Sequence, residues 1–321
     1  MEKISVWEDL NKKTLEDVDT AFNSIEDNQQ SQKNAGTYNG FKVNKTVKNF
    51  QMTIAKTTWM IDRYDFEYLY SSNKDQSESE NKCYVIVMSD NTKVRYFINK
   101  QGNGAQVALQ LFNSNLNKQL QIQQLALNNN DPDLLLWLVY KHYSSNGVSL
   151  TNGDNTTVMD GDNQLEIKSI TAIKGETADE ITNVAAEGDS LTNYMSVLTF
   201  LMESSEVHKL GLRVSYGNHK IVEFAYDTPR KNAVISVEPL TYVGPLRDTS
   251  EYKQAAAVII LVHMEIIPKL TQLYNEDNWQ IQDKKDFFQS LGKEIREKVE
   301  TLISGLDEKF TVQTELGLSD N

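Results

Sequence analysis

Residues 210–226, Leu-Gly-Leu-Arg-Val-Ser-Tyr-Gly-Asn-His-Lys-Ile-Val-Glu-Phe-Ala-Tyr, decide the fold class of the C-terminal half. Apolar residues alternate with polar or small ones on both sides of Gly217-Asn218-His219, which predicts two antiparallel strands joined by a short turn. A two-residue turn would place Leu212 opposite Glu223, whereas a three-residue loop places apolar residues opposite each other. The three-residue loop is therefore expected. It predicts the pairs Val214–Val222, Leu212–Phe224 and Leu210–Tyr226.

An amphipathic helix precedes this hairpin, and a third strand follows it. The apolar residues of 191–202 recur with the period of one helix face, and Asp189 or Ser190 is placed to cap the helix. Residues 233–237 alternate as a strand does, and Pro239 ends them. The C-terminal half is therefore predicted to be a three-stranded meander packed with helices.

The N-terminal half alternates with a period of two from Phe41 to Ile98, which predicts an antiparallel sheet. Before it, residues 14–25 form an amphipathic pattern in which Thr14 and Asp17 are spaced as a capping box. The polar stretch 27–40 is predicted to be a loop. Together the two halves predict an α+β fold.

Two segments, 134–143 and 255–267, are apolar on nearly all sides and are predicted to be buried helices. A buried strand would also suit the run 258–262, but the alanines before it favour a helix that kinks or ends near Pro268. The predicted organisation is a helix and polar loop at 1–40, a sheet with helices at 41–145, a linker at 146–164, the meander with helices at 165–305, and a flexible tail at 306–321.

Composition limits the classes of function. The formal net charge of −13 on 321 residues opposes non-specific nucleic-acid binding, which needs a Lys/Arg surface, although a local basic patch stays possible. Cys83 is the single cysteine, so neither a disulfide framework nor a thiolate metal site is expected. The first residues lack the apolar core of a signal peptide, and the apolar run 255–264 is shorter than a bilayer span. A cytoplasmic protein without a membrane partner is expected, and the Asn-, Gln- and Lys-rich composition suggests a bacterial source.

Glu166-Ile167-Lys168 is the sharpest candidate for chemistry. A carboxylate and a lysine two apart on a strand lie on one face, and with an upstream aspartate such as Asp154 they can hold Mg²⁺ and orient a water for phosphodiester cleavage. The competing interpretation, which the acidity favours, is an exposed Glu/Lys face on an edge strand. Two further features have mainly structural interpretations. His263 lies in the most apolar segment, where a core histidine bonded to a carbonyl is expected, and the aromatic stripe Tyr64, Phe66, Tyr68 and Tyr70 stands beside acidic residues, which favours a core or protein-contact role over base stacking.

The terminal helix has a narrow apolar seam, which suits either a partner helix or docking on the parent core. The seam consists of Phe288, Leu291, Ile295, Val299 and Leu302, and Gly305 is predicted as the C-cap. These features predict a non-enzymatic interaction subunit of a bacterial cytoplasmic assembly, with a protein partner or self-association and no cofactor. An accessory role in a mobile-element or anti-phage cassette is a further expectation. The alternative hypothesis is the metal-dependent nuclease, for which Mg²⁺ would be the cofactor.

Overall fold

The structure is a computed structural model of the chain. It describes residues 1–12, 14–25, 30–32, 36–54, 57–72, 77–113, 122–125, 133–144, 149–150, 164–177, 183–187, 195–228 and 233–317. The fold is α+β, as predicted. The strands are β1 (Glu2–Asp9), β2 (Gln30–Gln32), β3 (Gly36–Ile54), β4 (Thr57–Ser72), β5 (Glu78–Ser89), β6 (Val94–Ile98), β7 (Ile122–Gln124), β8 (Ser149–Leu150), β9 (Leu165–Thr177), β10 (Asn183–Glu187), β11 (Ser204–Tyr216), β12 (His219–Asp227) and β13 (Val234–Val237). The helices are α1 (Leu15–Asn23), α2 (Gly102–Phe112), α3 (Asp133–Ser144), α4 (Met195–Glu203), α5 (Glu251–Leu261), α6 (Ile267–Glu276) and α7 (Ile281–Gly317), with a π turn at Val262–Ile266 between α5 and α6.

The described strands join in the antiparallel order β10-β9-β11-β12-β13-β1-β6-β5-β4-β3-β2, with β7 on β1 and β8 on β9. Strand β1 links the two halves because its partner changes along its length. Residues 2–4 pair with β13 of the C-terminal half, and residues 5–9 pair with β6 of the N-terminal half. A cavity described below lies at this change of partner.

Both faces of the N-terminal sheet are buried, each in a different apolar core. One face packs against α1 and α2 in a core that contains Phe22, Tyr64 and Phe66. The other face contributes Trp59 and other side chains to a larger core, which also holds residues of the C-terminal strands and of α3, α5 and α6. The two halves of the chain therefore share one core.

The hairpin of β11 and β12 has the predicted register. Leu210 lies opposite Tyr226, Leu212 opposite Phe224 and Val214 opposite Val222. The turn itself is shorter than expected, since His219 already pairs with Tyr216 across the two turn residues. A register shift between these two pairs compensates, because one extra residue in β12 keeps the apolar side chains on the same face.

The predicted buried helix at 255–267 is present, and it continues beyond Pro268 instead of ending there. Proline cannot donate a hydrogen bond to the carbonyl four residues earlier, and its ring clashes with that carbonyl. The π turn at Val262–Ile266 widens the helix at this point, so the chain passes the proline and continues as α6. Among the described residues this is the one helix, Glu251–Glu276, that is long and apolar enough to cross a membrane, and 67% of its most apolar window is buried inside the protein.

Two local predictions were wrong. Strand β3 begins at Gly36, inside the stretch predicted to be a loop. Helix α7 passes through Gly305 and ends at Gly317, whereas a C-cap and a flexible tail were predicted there. The predicted caps Asp189 and Ser190 and most of the linker 146–164 lie outside the described residues.

Candidate functional site

The first part of α7 is docked on the body of the protein. Phe287 and Leu291 are buried, while Phe288 and Ile295 are half-buried against the larger core. Helix α4 packs against α7, and Met202 of α4 and Phe288 of α7 line a shallow groove. Three of the five residues predicted to bind a partner, Phe288, Leu291 and Ile295, therefore contact this chain's own core.

The second part of α7 stands free of the body. Every residue from Val299 to Ser304 is exposed, and six consecutive helical residues point in all directions around the axis, so no side of this segment is packed. Large apolar side chains are nevertheless exposed on this segment. The exposed fractions are 38% for Val299, 61% for Leu302, 53% for Ile303 and 51% for Leu306. We call Val299, Leu302, Ile303 and Leu306 the distal apolar face.

The distal apolar face continues the docked seam along one side of the helix. From Phe288 the seam residues are spaced 3, 4, 4, 3 and 4 up to Leu306, which is an eleven-residue period. Such a period is close to that of an undistorted α-helix, so the seam runs nearly straight. Leu306 was not in the predicted seam because Gly305 was predicted to be the C-cap, and Ile303 was not in it because it lies beside the 3-4 spacing of the seam.

Charges flank the distal face without occupying it. Lys293 pairs with Glu297 and Lys298 pairs with Glu294, both one turn apart on the same helix. The sequence of residues 299–317 holds four carboxylates and one lysine, a net charge of −3. The distal apolar face therefore lies in an acidic stretch of the sequence.

Glu166 and Lys168 lie on strand β9, as the sequence predicted, and their side chains contact each other. Lys168 Nζ lies 2.5 Å from a Glu166 carboxylate oxygen, and both side chains are partly exposed. Asp154 lies outside the described residues. Within the described ranges no group of three or more His, Cys, Asp or Glu side chains is placed to hold a metal ion. The nuclease hypothesis stays a prediction, to be checked by Mg²⁺- or Mn²⁺-dependent cleavage that disappears in Glu166→Ala.

His263 is a buried histidine bonded to a carbonyl, as expected for a core position. It lies in the π turn, where Nδ1 is 2.9 Å from the Ile259 carbonyl oxygen and must donate to it. The ring packs edge-on to Phe97 and also lies beside the Ile4 carbonyl. Burial lowers the pKa of His263 to about 4, although both carbonyls favour the protonated form. The imidazole is therefore neutral at pH 7.

Because its pKa is lowered in the folded state, His263 makes the folded protein less stable at low pH. In the unfolded chain its pKa returns to about 6.5, so between pH 6.5 and 4 the unfolded state binds a proton that the folded state does not. We expect the free energy of unfolding to fall by up to about 3 kcal/mol across that window through this group alone. Urea unfolding at successive pH values checks this. His263→Asn can still donate to Ile259 but cannot titrate, and an unchanged slope in that variant would contradict the prediction.

The other candidates have structural roles. Tyr64, Phe66 and Tyr68 are buried in the core under α1 and α2, as the core interpretation predicted. Cys83 lies in the same core, and burial raises the pKa of its thiol to about 12, so it is a thiol and not a reactive thiolate at pH 7.

No protein-family model matches the chain, and no curated protein matches its sequence. The functional argument therefore depends on the geometry of the site.

Proposed function

We propose that the protein is a non-enzymatic interaction subunit of a bacterial cytoplasmic assembly, and that the distal apolar face of α7 is its contact surface. The observation that supports this is the exposure of Val299, Leu302, Ile303 and Leu306 on a helix segment that packs against nothing in the described chain. Contiguous exposed apolar side chains on a regular element are typical of protein contacts. An accessory role in a mobile-element or anti-phage cassette is part of the same proposal.

The partner that this surface fits is an amphipathic helix with a basic border, carried by a different protein. Helices that pair along an apolar seam choose their partner through the charges beside the seam. Residues 299–317 have a net charge of −3, and the whole chain has a net charge of −13, so a second copy would bring like charges together. A basic helix gains both the apolar contact and the charge attraction.

Substitution of the distal face tests the proposal. The tagged chain is used to recover proteins from its host with nuclease present, and a recovered protein is then purified and titrated. We expect Leu302→Glu with Leu306→Glu to weaken its binding about 100-fold or more, since central apolar anchors dominate helix contacts. Glu300→Lys with Asp307→Lys should weaken binding less, and only at low salt. Cross-linking should place a basic amphipathic helix of that protein beside Val299–Leu306.

The matched control adds the same two charges to the opposite side of the helix. Thr301 and Ser304 lie there and donate to the carbonyls of Glu297 and Glu300. Thr301→Glu with Ser304→Glu should bind as the parent does, with the same helix content by circular dichroism. Three results would overturn the proposal: binding that survives Leu302→Glu with Leu306→Glu, a partner that is lost on nuclease treatment, or a dimer by light scattering that the same substitutions break.

A further inference from the structure

A cavity of about 670 Å³ opens where β1 changes from one sheet partner to the other. Ile4, Ser5 and Val6 of β1 line it on one side, and His263 and Met264 of the π turn line it on another. Side chains of β6, β7 and α6 complete the walls. The volume lies within the range of small-molecule sites, which are commonly found at junctions between structural units. A π turn inside an α-helix is also frequent at functional sites.

Two buried polar atoms of the cavity lining have no hydrogen-bond partner among the described residues. One is Nε2 of Gln101, and the other is Nε2 of His263, a residue that is 7% exposed. Because Nδ1 of His263 donates to Ile259, its Nε2 is an acceptor, whereas Nε2 of Gln101 is a donor. Buried polar groups are nearly always paired in folded proteins. Because the His263 ring also meets the Ile4 carbonyl, the unpaired donor of Gln101 is the stronger indication of a ligand, one that accepts a hydrogen bond from it.

The lining offers little to a charged ligand. Arg95 and Glu276 are its charged residues apart from the neutral His263. The Arg95 guanidinium already donates to Glu8 at 3.0 Å and contacts the Met264 sulfur at 3.2 Å. Glu276 accepts from Gln272 at 2.8 Å. A phosphate or carboxylate would therefore compete with Glu8 for Arg95 and would face Glu276, so the cavity favours an uncharged molecule.

Four carboxamides line this one cavity, at Gln101, Gln124, Gln272 and Asn275. A carboxamide presents a donor and an acceptor side by side, which matches the hydrogen-bonding edge of a nucleobase. Leu125, Ile267 and Pro268 supply apolar surface for the faces of a flat ring. We propose that the cavity binds an uncharged heterocycle with such an edge, of the size of a nucleoside. This site is separate from the distal apolar face and does not depend on it.

Calorimetric titration of the full chain tests the proposal with adenosine, guanosine, cytidine and uridine as probes, each against its 5′-monophosphate. We expect at least one nucleoside to bind and its monophosphate to bind at least about tenfold more weakly, because the phosphate gains no free cation. Thr271, a half-buried residue at the cavity wall, is replaced by tryptophan to fill the space. Thr271→Trp should abolish binding and leave the thermal unfolding midpoint nearly unchanged.

Gln101→Leu distinguishes a binding role from a structural one. It removes a buried donor that has no protein partner, so the unliganded protein should be equally stable or more stable. Nucleoside binding should nevertheless weaken about tenfold, through the lost hydrogen bond. Gln51 is exposed on β3, outside the cavity, and Gln51→Leu should change neither property. The proposal is overturned if none of the four nucleosides binds, if the monophosphates bind as tightly, or if binding survives both cavity substitutions.

Discussion

Replacing Asp62 by alanine is expected to lower the free energy of unfolding by about 3–5 kcal/mol, because it leaves a buried charge network without its centre. Asp62 is fully buried on β4, and one carboxylate oxygen lies 2.7 Å from Lys45 Nζ. The other accepts the backbone N–H of Asn49 at 2.6 Å. Asn49 has a positive φ at an irregularity of β3, so the carboxylate also holds this bend. Urea unfolding measures the loss.

An exposed ion pair on the same sheet is the control. Lys82 lies 2.7 Å from Glu67 between β5 and β4, as close as Lys45 is to Asp62, but both side chains are in solvent. Glu67→Ala should leave the stability unchanged, because water screens the pair. If Asp62→Ala also left the free energy of unfolding unchanged, the network around Lys45 would not stabilise the fold. Adding Lys45→Met to Asp62→Ala should recover part of the loss, since it removes a cation that has lost one of its two carboxylate partners and keeps only Asp19.

The parts of the fold that could be predicted are those in which one face is apolar and the other is polar. In β11 and β12 a slip of one residue would move Glu223 onto the apolar face, so the pattern determined the register even though the turn length was wrong. In α1 the predicted capping box is present, with Thr14 and Asp17 bonded to each other's backbone N–H groups. In both cases the local sequence was sufficient to predict the structure.

Strand β1 was not predicted, because both of its faces are buried. Ile4 and Val6 lie in the larger core, whereas Trp7 lies in the core under α1 and α2. Alternation between two apolar environments leaves no polar face to recognise. The π turn could not be predicted either. It depends both on the proline that follows it, Pro268, and on the burial of the helix on most of its sides.

The candidate sites were predictable to different degrees. The seam on α7 is continuous in sequence, so its residues could be named, but only the structure separates the docked Leu291 from the exposed Leu302. The cavity brings together Ser5, Gln101, Gln124 and His263 from distant parts of the chain. Gln101 and Gln124 have no signature in their local sequence, because carboxamides are most often exposed surface residues.

Phe22→Ala should destabilise the protein by about 3–5 kcal/mol, as expected for removing a buried aromatic ring. Phe22 is fully buried, and its ring centre lies 5.0 Å from that of Tyr64 and 5.2 Å from that of Phe66, both in edge-on geometry. Helix α1 has only nine residues, too few to be stable alone, so its position depends on the contacts of Phe22 and Val18 with the sheet. Thermal and urea unfolding measure the loss.

A second substitution at Phe22 shows whether the destabilisation comes from the space that the missing ring leaves in the core or from the helix propensity of the new residue. Phe22→Leu keeps most of the apolar contact and should cost about 1 kcal/mol, while helix propensity favours leucine over phenylalanine. Asp19 of the same helix accepts a hydrogen bond from Tyr64 at 2.8 Å and lies 3.0 Å from Lys45, so α1 also supports the network around Asp62. Phe22→Ala and Asp62→Ala are therefore expected to be non-additive when combined. Strict additivity would mean that α1 and the buried network stabilise the sheet independently.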